Sequence, residues 1–97
     1  MKDHIIHIDY DPNNNTWYAC RHDEPRCKKN HIIHFDTDTS GNRITVTFDD
    51  PTVADPVSVP GDTKVKKSDA GTYTYSVSVN GQIVALDGRG APGIIIE

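Results

Sequence analysis

The sequence predicts an all-β protein, a single antiparallel Greek-key β-sandwich of seven to eight short strands filling residues 1–97. Three observations predict it. Ten Ile, eight Val and nine Thr stand against a single Leu, Leu86, and β-branched side chains fit a pleated sheet better than a helix. In Asp69–Asp87, Tyr73, Tyr75, Val77 and Val79 alternate strictly with Thr72, Thr74, Ser76 and Ser78, the period of a strand with one buried and one wet face. Short apolar runs recur between turn signals along the chain, which is the sandwich pattern.

Each element follows from its local pattern. HIIHIDY at residues 4 to 10 is a first strand, with His4, Ile6, Ile8 and Tyr10 facing inward and Ile5, His7 and Asp9 outward. Asp11-Pro-Asn-Asn-Asn turns the chain, and Thr16–Cys20 returns with Trp17 and Tyr18. Arg21–Asn30 is charged, contains Pro25 and has no period, so it reads as a loop. His31–Asp36 and Arg43–Phe48 read as a hairpin across TDTSGN, with Ile33 and Phe35 opposing Ile44, Val46 and Phe48. Three prolines confine any strand in Asp49–Pro60 to a sheet edge, although Val57 and Val59 alternate properly. Thr63–Lys67 is a further short strand through Val65. Asn80-Gly81 then supplies the two positive-φ residues of a type I′ turn, which pairs Val79 with Gln82, Val77 with Val84 and Tyr75 with Leu86. Asp87–Gly93 is an irregular connection, and Ile94-Ile95-Ile96 closes the chain as a strand buried on both sides.

A formal charge of −4 and a pI near 5.6 argue against nucleic acid or an anionic membrane as partner, since both select clustered Lys and Arg. The short run Lys64-Val65-Lys66-Lys67 reads as protection of an edge strand. No apolar run approaches a membrane span, and Met1-Lys2-Asp3-His4 is not followed by a hydrophobic core of a signal peptide, so the expectation is a cytoplasmic protein, with an exported form as the alternative where Met1 replaces a signal.

Asp69-Ala-Gly-Thr-Tyr73-Thr-Tyr75 resembles the D-x-G-x-Y-x-C entry to the penultimate strand of immunoglobulin-like domains, with Tyr73 at the corner tyrosine. The second disulfide cysteine of that family falls on Tyr75, so the resemblance implies no disulfide-pinned core. The segment from Val59 onward also resembles cupredoxin-like sandwiches, with a G-T-Y-x-Y strand and a short Ile-rich last strand. It covers about a third of the chain. In copper-binding members the loop between the last two strands supplies Cys, His and Met ligands. Between Tyr75 and Glu97 there is no Cys, His or Met, so the resemblance carries the fold and not a type 1 copper site.

Two constellations bear on chemistry. Cys20-x-His22-x₄-Cys27-x₃-His31 holds the ligand set of a structural Cys₂His₂ zinc site, with His34 as a substitute ligand; a Cys20–Cys27 disulfide and two unligated thiols remain open beside it. The second is a near-repeat: KDHIIHIDYD from Lys2 and KNHIIHFDTD from Lys29 share seven of ten residues. Residues three apart in a strand point to opposite faces, so neither His-x-x-His pair chelates one ion. If the two strands are neighbours in register, His7 and His34 lie side by side next to Asp9 and Asp36 as a metal or pH-sensing cluster; otherwise they are surface histidines. Asp36-x-Asp38-x-Ser40-Gly41 echoes a calcium loop, but the twelfth position is Thr47 instead of Glu and the segment reads as a turn.

No nucleophile, base and orienting group come together, and no phosphate-binding loop is present, so the expectation is a protein that is not an enzyme. The expected function is a protein-binding module without a cofactor. Its contacts come from Arg21–Asn30 and Asp87–Gly93, with Trp17, Tyr18, Arg21, Arg26 and Arg89 as interaction residues. The rival is a small zinc protein using Cys20, His22, Cys27 and His31.

Overall fold

Strands distant in the sequence pair with one another throughout the described residues, as β1 does with β4 and β5 with β8. The computed structural model describes residues 3–20, 26–86 and 93–97, with Cys20 described by its backbone alone. Ten strands are present among these residues: β1 (His4–Asp11), β2 (Thr16–Cys20), β3 (Arg26–Cys27), β4 (Ile32–Asp36), β5 (Ile44–Phe48), β6 (Val57–Val59), β7 (Gly61–Lys64), β8 (Gly71–Val79), β9 (Gln82–Val84) and β10 (Gly93–Ile96). There is no helix among them, hence none long and apolar enough to cross a membrane.

The strands form two sheets, ordered β2-β1-β4-β7 and β3-β10-β8-β5-β6, with β9 beside β8. Both are mixed: β1 runs parallel to β4 and β3 parallel to β10, while the other pairs are antiparallel. This corrects the purely antiparallel expectation and its count of seven to eight strands. The expected hairpin of His31–Asp36 with Arg43–Phe48 is also corrected, because β4 and β5 belong to different sheets. Their apolar residues still meet. Ile33 and Phe35 share one buried core with Ile44, Val46 and Phe48, together with Ile6, Ile8, Val77, Ile94 and Ile96. Alternation sets which residues face a core, and both pairing schemes satisfy it equally.

The β8 hairpin follows its local chemistry. Asn80 and Gly81 have φ of 53° and 88°, and the register joins Val79 to Gln82 and Val77 to Val84. Tyr75 departs from expectation. It pairs with Phe48 of β5 and makes edge contacts with Phe35 and Phe48 at ring-centroid distances of 5.5 Å each. Leu86 instead bridges to Trp17. At the start of β8, the Tyr73 hydroxyl donates to the Asp69 carbonyl at 2.8 Å, tying the preceding turn to the strand. Gly93 sits where β10 crosses β8 so closely that a Cβ would lie 2.7 Å from the Tyr73 carbonyl oxygen, which reserves the position for glycine.

Candidate functional site

The near-repeat strands β1 and β4 are neighbours, but parallel and two residues out of repeat register. His4 pairs with Ile33 and His7 with Asp36, so equivalent histidines do not face one another across the ladder. A two-residue shift preserves the faces, which leaves Ile6, Ile8, Ile33 and Phe35 all inward and fully buried. It also separates the histidines into two environments.

The first histidine of each copy lies at one end of the inner face. His4 and His31 stack at a tilt, with centroids 5.3 Å apart. The Lys28 N–H donates to His31 Nδ1 at 3.2 Å, and His4 Nε2 lies 3.2 Å from the same nitrogen. A backbone N–H can only donate, so His31 Nδ1 accepts and His4 Nε2 carries the proton. Burial lowers the pKa of His4, and the neighbouring His31 lowers it further, against an opposing pull from Asp3. Asp3 clips the strand ends together: its N–H donates to the Ile32 carbonyl at 2.9 Å and its Oδ2 accepts from the Ile32 N–H at 2.7 Å.

The second histidine of each copy lies on the outer face. His34 is opposite Ile5 on one side and Asp62 on the other, with Nδ1 2.6 Å from Asp62 Oδ1 and Nε2 3.9 Å from Asp36 Oδ2. His7 lies between position 20 of β2 and Asp36 of β4. The connection leaving β4 folds over β1 here. Asp9 Oδ1 accepts from the Asp38 N–H at 2.7 Å and from the Thr37 hydroxyl at 3.3 Å, while Asp36 Oδ1 accepts from the Thr37 N–H at 2.8 Å. One ligand-type atom from each of His7, Asp9 and Asp38 therefore lies within 4.8 Å of the others. No other trio of His, Cys, Asp or Glu gathers so closely among the described residues. His7 and His34 are thus diagonal rather than side by side. Asp38, which the calcium-like spacing assigned to a simple turn, joins His7 and Asp9.

The expected zinc ligands are only partly within view. His22 and the Cys20 side chain lie outside the described residues, so the four-ligand set and the Cys20–Cys27 bridge do too. Cys27 is fully buried in the core, and burial, assisted by the charge of Asp3, pushes its thiol up to about 11. Such a thiol stays protonated at neutral pH and packs as a small apolar side chain. The Nδ1 of His31 is already engaged, as above.

Of the expected interaction residues, Arg21 and Arg89 lie outside the described residues, as do half of the first loop, 21–25, and nearly all of the second, 87–92. Arg26 is exposed and pairs with Glu97 at 3.9 Å, a contact worth little in water. Tyr18 is half-buried opposite Asp9. Trp17 is half-buried, packs on the core and lies at a tilt to Tyr10 with centroids 5.3 Å apart. Tyr10, expected inside, is exposed, and its hydroxyl donates to Asn15 Oδ1 at 2.7 Å. The two rings line an open groove of about 480 Å³ with Thr39, Asn42, Val79, Asn80, Gln82 and Val84. Trp17 pairing with Tyr10 across β1 and β2 is what brings the rings together. No protein-family model matches the chain, and no curated protein matches its sequence.

Proposed function

We propose that the chain is a binding module rather than an enzyme, built as a cupredoxin-like sandwich, and that it grips another protein through the groove beside Tyr10 and Trp17. The architecture part of this reading is supported by the two parallel strand pairs, β1 with β4 and β3 with β10, since the immunoglobulin arrangement is two antiparallel sheets. The G-T-Y-x-Y segment is β8, and the Ile-rich end of the chain is β10. No metal ligand of the copper-binding type stands between these strands in the sequence.

The observation that carries the binding reading is the composition of the groove wall. Among the described residues it combines two aromatic rings, two valines, and the hydroxyl and amide groups of Thr39, Asn42, Asn80 and Gln82, with no charged side chain. Aromatic anchors with charge excluded mark the centre of protein interfaces, and Tyr and Trp add contact area at low entropic cost. Affinity capture with the whole chain tests it, comparing the native sequence with Tyr10→Ser and, as a control away from the groove, Ile83→Ser. A protein retained by the native chain and by Ile83→Ser but lost at least about tenfold with Tyr10→Ser supports the groove. A retained set indifferent to Tyr10→Ser contradicts it.

A further inference from the structure

We propose that His7, Asp9 and Asp38 form a binding site for a first-row divalent transition-metal ion, zinc foremost. These residues are distinct from those lining the Tyr10 and Trp17 groove and from the expected set Cys20, His22, Cys27 and His31.

The three groups converge from independent elements. His7 and Asp9 are two apart on β1 and so share the outer face, while Asp38 arrives from the connection after β4. Asp9 is only 8% exposed; one of its oxygens accepts from the Thr37 hydroxyl and the Asp38 N–H, and the other, unbonded among the described residues, still reaches solvent and is open to a ligand. Among the described residues the His7 ring and the Asp38 carboxylate likewise take no hydrogen bond or ion pair, and no Lys or Arg neutralises either carboxylate. A nearly buried carboxylate close to a second one, with no described cation beside it, is an arrangement that a dication resolves.

The donor set selects the ion. One imidazole nitrogen and two carboxylate oxygens suit zinc, manganese or iron(II), whereas calcium and magnesium prefer oxygen alone. Ligand atoms about 2.0–2.2 Å from one zinc stand roughly 3–4 Å from one another, so a side-chain adjustment of about 1 Å closes the trio around an ion. The hydrogen bonds to Asp9 Oδ1 act as the outer support that metal-binding carboxylates need, fixing the group before the ion arrives. Three protein ligands leave at least one position for water.

Isothermal titration of zinc chloride into the chelator-treated whole chain tests the site, with Asp38→Asn, His7→Gln, His34→Gln and His22→Asn as variants. Asp38 is exposed, so Asp38→Asn keeps the fold, which its metal-free melting temperature verifies. The expected result is one zinc per chain, weakened at least about tenfold by Asp38→Asn and by His7→Gln and unchanged by His34→Gln and His22→Asn. Absence of binding to the native chain overturns the proposal, as does zinc binding that survives Asp38→Asn. Loss with His22→Asn alone overturns it in favour of the cysteine loop.

Discussion

The two ends of the β1 and β4 pair are built from the same words, HIIH followed by an acidic tail, and behave as opposites. At one end His4 and His31 close on each other, on the Lys28 backbone and on the Asp3 clip. At the other, the His7 ring faces Asp9 and Asp38 with no bonding partner of its own among the described residues. The difference comes from strand geometry. Three residues apart means opposite faces, so the first histidine of each copy goes to the rim of the core and the second to the outer surface. The parallel pairing is offset by two residues for both pairs; His31, just before β4, still stacks on His4, whereas His34 bonds Asp62 of β7 and not His7. A His-x-x-His motif in a strand therefore supplies one structural and one ligand-type histidine rather than a chelate.

The largest expected effect breaks both ends together. Phe35 is fully buried and contacts Tyr75 across the core, so Phe35→Ala should cost about 3–5 kcal/mol in urea unfolding and remove the His4–His31 contact and the His7 site at once. Loss of one with survival of the other would show that the strand pair does not unite them. Gly93→Ala comes next. It leaves β1 and β4 untouched but drives a methyl against the β8 backbone, for an expected loss of about 1–3 kcal/mol with zinc binding by the surviving folded protein unaltered.

A pH titration separates the ends more finely. The folded pKa of His4 lies below its ordinary value of 6.5, so the unfolded chain binds the extra proton first. Stability is complete above that value and declines as pH falls through it. His4→Gln should flatten the drop in urea midpoint between about pH 7.5 and about pH 5.5; an undiminished drop would place the acid sensitivity elsewhere. The smallest effect is a reference far from both ends. Tyr73→Phe removes one hydrogen bond to the Asp69 carbonyl and should cost about 1 kcal/mol, with no change in pH dependence or metal affinity.

What the sequence disclosed follows the range of the interactions concerned. The β8 hairpin was legible because Asn80-Gly81 and strict alternation are local, and the inward residues Ile6, Ile8, Ile33 and Phe35 were legible for the same reason. The pairing of β4 was not. Both a hairpin with β5 and a parallel partnership with β1 bury the same side chains, and only the whole-chain topology distinguishes them. The candidate site was half visible. His7 and Asp9 declare themselves by sharing a face two residues apart, whereas Asp38 enters through the hydrogen bonds that Asp9 accepts from the Thr37 hydroxyl and the Asp38 N–H, a long-range contact with no sequence period. The corresponding Asp11, by contrast, caps its own turn, accepting from the Asn13 N–H at 2.9 Å and the Asn14 amide at 2.7 Å. Tyr10 broke its strand's inward alternation because its ring packs sideways on Trp17 at the end of the pair.

The contrast between the two ends is tested most directly by NMR of the histidine rings in the ¹⁵N-labelled whole chain during zinc titration. The account predicts that the His7 ring responds at one equivalent while His4 and His31 keep their shifts and their mutual contact. A response centred on His4 and His31, or on His34, with His7 unmoved would contradict it.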